Sequence, residues 1–176
     1  MKNIKAAIES YKRAQASTPL PDYAAALYDL YRDSGQTAEA EKQMELIDAI
    51  DKIGQAAQER ANRNVAMIYA DHDHRVDRAL ELAQAELDVR RDIYTYDALA
   101  WALYKNRKYP DAAKAIADAL KLGTPEPMFY YHAEKIALAN GQTKQAEEYR
   151  KRYDTRSLPG AYRQNDGSES DRRAAQ

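Results

Sequence analysis

Apolar and small residues return along this chain at the spacing of helices rather than strands. Near the start, Ile4, Ala7, Ile8 and Tyr11 fall at i, i+3, i+4 and i+7, which is one face of a helix. Farther on, Leu99, Ala100 and Leu103, then Ala112, Ile116 and Ala119, repeat that spacing on either side of a turn. Few stretches alternate apolar with polar residues or concentrate the Val, Ile and Thr that strands favour. Only six Gly and six Pro interrupt long runs rich in Ala, Leu, Glu, Lys, Arg and Gln, residues that lose little side-chain freedom in a helix. The pattern predicts an all-α protein.

The helices are predicted to repeat. GQTAEAEKQ at 35–43 and GQTKQAEEY at 141–149 share a Gly-Gln-Thr turn followed by matching Ala and Glu positions, and NRKYPDAAKAI at 106–116 is a turn of the same kind. The small residues early in these helices are Ala7, Ala40, Ala79, Ala112 and Ala146, spaced 33, 39, 33 and 34 residues apart. Gly35 and Gly141 are expected to end helices in the left-handed conformation, with Thr37 and Thr143 capping the next ones. Pro110 suits a first helical turn, and Gly123-Thr124-Pro125 reads as stop, cap and restart. The expected organisation is a single helix over 3–17, then two-helix units over about 22–52, 53–92, 93–126 and 127–155. The spacing of 39 implies extra residues in the second unit, so a long helix should run past Ile53, with a break near Arg60. The polar, aperiodic segment 156–176 is expected to be disordered.

Unit by unit, the residues match a known pattern. The third unit, YTYDALAWALYKNRKYPDAAKAIADALKLGTPE, places the aromatic Tyr96, the large-then-small pair Leu99-Ala100, and then Leu103, Ala112, Ile116 and Ala119. The first keeps Leu27, Tyr31, Ala40, Met44 and Ile47, the second Ala66, Ala70, Ala79 and Ala83, and the fourth Tyr130, Ala133, Ala137 and Ala146. On these residues the chain resembles the tetratricopeptide repeat family from about Ala6 to Tyr153, a family of 34-residue helix-turn-helix units. The stretch from YADHD to YHAEKIALANGQ also looks like bacterial members of that family, for which no settled activity follows. Glu134, at a usually small position, and Arg150 and Tyr153 late in the fourth unit depart from the pattern, as a terminal unit does. The resemblance implies a right-handed α-solenoid. Ala7, Tyr11, Ala14 and Pro19 match the second helix of a unit whose first is missing. The chain therefore looks cut from a longer array, and the apolar side of its first helix is predicted to fray or to mediate self-association.

In such an array the first helices of successive units line a concave groove. The resemblance places Asp22, Ala26, Asp29 and Arg32 there, then Asn64, Val65, Ile68 and His72, then Tyr94, Asp97, Ala98, Trp101, Tyr104 and Lys105. The fourth unit adds Met128, Tyr131, His132, Lys135 and Leu138. The candidate binding residues among them are Asn64, Tyr94, Asp97, Trp101, Tyr104, Tyr131, His132 and Lys135, because amphipathic aromatics beside charged groups make peptide-binding anchors. The implied function is a scaffold that binds a peptide or protein segment in the groove, without a cofactor. Family members that clamp a partner's C-terminal carboxylate use Lys, Asn and Arg at positions that here hold Ala25, Asp29, Ala98, Met128 and His132. A clamp of that kind is not expected.

Charge narrows the partners. With 27 basic and 28 acidic residues and a net charge of −1, the chain lacks the basic excess of a nucleic-acid binder. An RNA-reading helical repeat is one rival, set against Asp22, Asp29 and Asp97 in the groove; an architectural segment of a larger multidomain protein is another. No apolar run reaches the roughly 20 residues that cross a bilayer. The charged start MKNIKAAIESYKRAQ lacks the apolar core of a signal peptide, so the expectation for the chain as given is cytoplasmic, or a fragment of a longer protein. The absence of cysteine excludes thiolate chemistry and disulfides. His72-Asp73-His74, beside Asp71 and Asp77, has metal-ligand residue types but reads as a solvated turn. No nucleophile–base pair, Gly-rich phosphate loop or HExxH motif is present, so no enzyme is expected.

Overall fold

The computed structural model describes residues 2–59 and 61–156. Those residues form nine helices and no strand: α1 (Lys2–Ser17), α2 (Pro21–Asp33), α3 (Thr37–Ala56), α4 (Arg63–Asp71), α5 (Val76–Val89), α6 (Ile93–Lys105), α7 (Tyr109–Leu120), α8 (Pro127–Ala139) and α9 (Thr143–Arg156). The protein is all-α. The expected break near Arg60 falls partly on a residue outside the described set, as does the tail beyond Arg156. No described helix is long and apolar enough to cross a membrane.

Helices pack in consecutive pairs, α2 on α3, α4 on α5, α6 on α7 and α8 on α9. The first helices of successive pairs also touch one another, α2 to α4, α4 to α6 and α6 to α8, which makes them one layer. Small residues permit this. Ala40, Ala79 and Ala112 are fully buried and Ala146 nearly so, which lets neighbouring backbones close to about 8–10 Å. Larger apolar side chains fill the space between layers, Met44, Ile47, Val65, Tyr69, Leu82 and Ile116 among them.

Each pair is joined by the same turn. The amides of Gln36, His74, Lys108 and Gln142 reach back to the carbonyls of Tyr31, Tyr69, Leu103 and Ala137 at 2.8–2.9 Å, closing four Schellman motifs. The residue before each of those amides is left-handed: Gly35 (φ 75°), Asp73 (50°), Arg107 (58°) and Gly141 (73°). Glycine adopts this conformation without penalty, whereas Asp73 and Arg107 carry a Cβ into it. The capping expectation was half right. Thr37 and Thr143 open α3 and α9 rather than preceding them, and no side chain caps the start of α3. Pro110 does lie in the first turn of α7.

The N-terminal helix qualifies a second expectation. Its apolar side is partly covered: Ile8, only 7% exposed, packs with Leu27, Tyr31 and Ala40, and half-buried Ile4 and Tyr11 join the same cluster. Tyr11 also meets the Tyr23 ring at 6.2 Å. Helices α2 and α3 thus cover Ile8 and part of the face on which fraying or self-association was expected, and leave Ile4, Ala7 and Tyr11 half-exposed.

Candidate functional site

The layer of first helices carries a run of carboxylates, each bonded to a donor on the next first helix. Asp22 of α2 accepts from Asn64 Nδ2 of α4 at 3.2 Å, and Asp29 of α2 lies 3.1 Å from His72 Nε2 at the end of α4. Asp71 of α4 accepts from Trp101 Nε1 of α6 at 2.8 Å, and Asp73, in the turn after α4, accepts from Lys105 Nζ at 2.8 Å. Asp97 of α6 meets His132 Nδ1 of α8 at 2.8 Å. The direction is constant. The acid sits on the earlier helix and the donor on the later one, so every first helix is tied to its successor by charge-assisted bonds.

Around Trp101 these ties become a buried stack. The indole lies on His132 with ring centres 4.3 Å apart and on Tyr104 at 4.8 Å, with Lys105 Nζ 4.9 Å from its centre. Burial disfavours a charged His132, but the charge and bond of Asp97 outweigh it, with help from Asp71, and raise the ring above its ordinary range. Burial likewise raises the Asp71 carboxyl, against the opposing pull of His132, His72 and the Trp101 N–H. His132 Nε2 is buried without a hydrogen-bond partner among the described residues. Protonation would put an unpartnered N–H there, a cost that opposes the charge Asp97 favours.

The candidate residues therefore divide. Trp101 (4% exposed), Asp97 and His132 are buried and hold α4, α6 and α8 together. They are the framework of the face rather than contacts on it, and Val65, Ile68, Ala26 and Ala98 are buried too. Asn64 is exposed. Tyr94 is 46% exposed, with its ring on Phe129 at 5.4 Å and beneath the Arg63 guanidinium at 5.6 Å. Tyr104, Tyr131 and Lys135 are half-buried. Lys135 Nζ lies 5.2 Å from the Tyr131 ring centre, and Tyr131 also meets Tyr153 of α9 at 5.7 Å. With half-buried Met128 and exposed Leu138, these side chains give α6 and α8 an amphipathic surface open to solvent.

No protein-family model matches the chain, and no curated protein or solved structure matches it.

His72, Asp73 and His74 face different partners, which is why the turn does not gather ligands. His72 goes to Asp29, Asp73 to Lys105, and His74 Nε2 to Asp48 of α3 at 3.0 Å. That last contact belongs to a second polar cluster that the sequence did not reveal. Asp51 of α3 is nearly buried and is gripped by Arg78 of α5, whose Nη2 and Nε reach its two oxygens at 3.0 and 3.1 Å. Arg75 bonds the same carboxylate at 3.3 Å, and Tyr69 donates to Asp48 at 2.8 Å. Burial and the bond to Asp48 push the Tyr69 phenol far above its usual range.

Two asparagines also escaped notice. Asn106 Nδ2 donates to the Val76 carbonyl at 2.7 Å, and Asn140 Nδ2 to the Tyr109 carbonyl at 2.9 Å. Each ends a first helix and reaches the opening residue of the preceding pair's second helix. The signal was a shared residue type 34 positions apart, directly before each turn.

Proposed function

We propose that this protein is a helical-repeat scaffold of the tetratricopeptide kind that binds an extended peptide or protein segment along its layer of first helices. The observation that carries this reading is the recurrence of one turn geometry at Gly35, Asp73, Arg107 and Gly141 together with a continuous layer α2–α4–α6–α8. A helical array of this kind presents a long preformed surface, which suits binding more than catalysis. On that surface Tyr94, Tyr131, Lys135 and Leu138 supply accessible aromatic, cationic and aliphatic contacts above a rigid polar framework. Five aspartates in the same layer oppose the phosphate backbone that an RNA-reading repeat must hold.

Selection from a displayed library of random peptides tests the reading. Enriched peptides should lose at least about tenfold in affinity with Tyr94→Ala or Tyr131→Ala, since truncating an anchor commonly costs about 2 kcal/mol. Both variants should stay folded, because neither ring is buried. Failure to enrich any peptide, or enriched binders indifferent to both substitutions, would leave a purely architectural role as the better account.

A further inference from the structure

His72 ends α4 as its C-cap residue, and its side chain is only 12% exposed. Its two ring nitrogens each face an acceptor. Nδ1 lies 2.7 Å from the Ile68 carbonyl oxygen, and Nε2 lies 3.1 Å from Asp29 Oδ1 on α2. A neutral imidazole has one N–H, so it can satisfy one of these oxygens while turning a lone pair on the other. Only the doubly protonated ring bonds both. The chain's other two histidines do not share this geometry. His132 and His74 each meet acceptors through a single ring nitrogen.

The surroundings favour the charged ring. Ile68 also accepts the His72 amide at 3.2 Å. Its carbonyl belongs to the last turn of α4, where the unpaired carbonyls of a helix end concentrate negative partial charge. Asp29 faces the ring from α2 and Asp71 from α4 itself. The Tyr28 ring of α2 meets it edge-on at 4.8 Å, with Arg32 over that tyrosine at 5.9 Å.

The position gives this proton leverage. Between the first helix pair (α2, α3) and the second (α4, α5), the closest backbone approach is that of α2 and α4. Helix α3 stands farther from α4 than other consecutive helices do and meets the second pair through the side chains of Met44, Ile47, Asp48 and Asp51. We infer that His72 is a proton-operated clamp between the first two helix pairs: doubly protonated it binds Asp29 and the end of α4 at once, and neutral it gives up one of those bonds. Loss of the proton loosens α1–α3 on the rest of the chain and changes the alignment of α2 with the remaining first helices.

The pH window follows from the direction of the shift. Burial disfavours the cation, but the bonds to Asp29 and Ile68 and the charges of Asp29 and Asp71 outweigh it and raise the ring above the ordinary 6.5. The clamp's contribution is thus fully present below 6.5 and is lost as pH rises through the higher value of the folded protein.

Long-range nitrogen–proton NMR of the imidazole rings in the intact chain tests the inference. His72 should be mostly doubly protonated at pH 6.5 and titrate above that value, and Asp29→Asn should lower its midpoint. A ring mostly in a single-proton tautomer at pH 6.5, which places the midpoint at or below the ordinary value, would overturn the clamp. Amide exchange, corrected for its intrinsic pH dependence, supplies the second readout. Protection across α1–α3 should fall on the alkaline side in the wild type but not in His72→Gln, whose side chain cannot titrate. The same alkaline loosening in His72→Gln would also overturn it. Should that variant misfold, the ring titration of the wild type decides alone.

Discussion

The junction between the first two helix pairs and the junction between the last two solve one packing problem with different chemistry. Between α6–α7 and α8–α9 the contact is apolar and close. Ala112, Ile116 and Ala119 of α7 belong to one core with Ala133 and Ile136 of α8, and the Trp101–His132 stack closes the other layer. Between α2–α3 and α4–α5, Ala24, Met44 and Ile47 join the same core as Val65 and Tyr69. Here, however, α3 lies farther from α4 than α7 does from α8, and Asp48 and Asp51 of α3 add polar links to Tyr69, His74, Arg75 and Arg78. The capping position shows the same contrast. Asn106 and Asn140 bond a carbonyl of the preceding pair, whereas His72, the corresponding residue before the Asp73 turn, bonds Asp29 instead. The longer spacing from Ala40 to Ala79 supplies the reason, since the lengthened α3 and its connection set the second pair at a different offset. Long side chains with charges bridge a wider gap that alanines cannot fill, and they make the early junction more sensitive to salt than the late one, whose own titratable tie is the single buried pair Asp97–His132.

Substitutions at the two junctions should therefore behave differently. The largest effect belongs to Trp101→Ala. Removing a buried indole commonly costs about 3–5 kcal/mol, and here it also strips Asp71 of its donor. Urea unfolding should show a lowered midpoint that depends little on salt. A loss below about 1 kcal/mol would mean that the stack is not the late junction's main support.

Arg78→Ala tests the early junction, with an expected cost of about 3 kcal/mol because it leaves the Asp51 carboxylate, 3% exposed, with Arg75 as its one remaining cation. Asp51→Ala should cost less, since both arginines retain more access to water. The ordering is the test. An Asp51→Ala loss equal to or greater than that of Arg78→Ala would show that the pair matters more for its attraction than for keeping a buried acid neutralised.

The smallest effect concerns the turns and should be a gain. Arg107 is exposed and left-handed where Gly35 and Gly141 do the same duty without a Cβ. Arg107→Gly should raise stability by about 0.5–1 kcal/mol, because relief of the left-handed conformation outweighs the added freedom of the unfolded chain. A melting temperature unchanged or lowered would show that the arginine side chain contributes something the turn geometry does not.

Much of the helical framework was legible in the sequence. Helix-forming composition, Gly35, Gly141, Pro110 and the spaced alanines are local statements about backbone conformation and close approach. They act over a few residues, so they can be read without knowing the fold. Even the turn at Asn106-Arg107-Lys108, which has no glycine, followed from its likeness to its neighbours. The partial cover over α1 was not legible because a face that looks unpaired in sequence order can be met by the helix that follows it. The candidate surface was legible only in part. Tyr94 and Tyr131 remain accessible, while Trp101, Asp97 and His132 turn inward, because the 34-residue period places a residue on a helix face without saying how deeply the next helix will cover it.

The sequence by itself determined the helices, their turns and the beat at which they recur, since these rest on intrinsic propensity and left-handed glycine geometry. Tertiary structure alone decided which charges meet. The aspartates at 22, 29, 48, 51, 71, 73 and 97 find donors 21 to 43 positions away in the chain. Partners at such separations are set by how far one helix pair is rotated and displaced against the next. That offset depends on the summed packing of many side chains, so no local pattern encodes it.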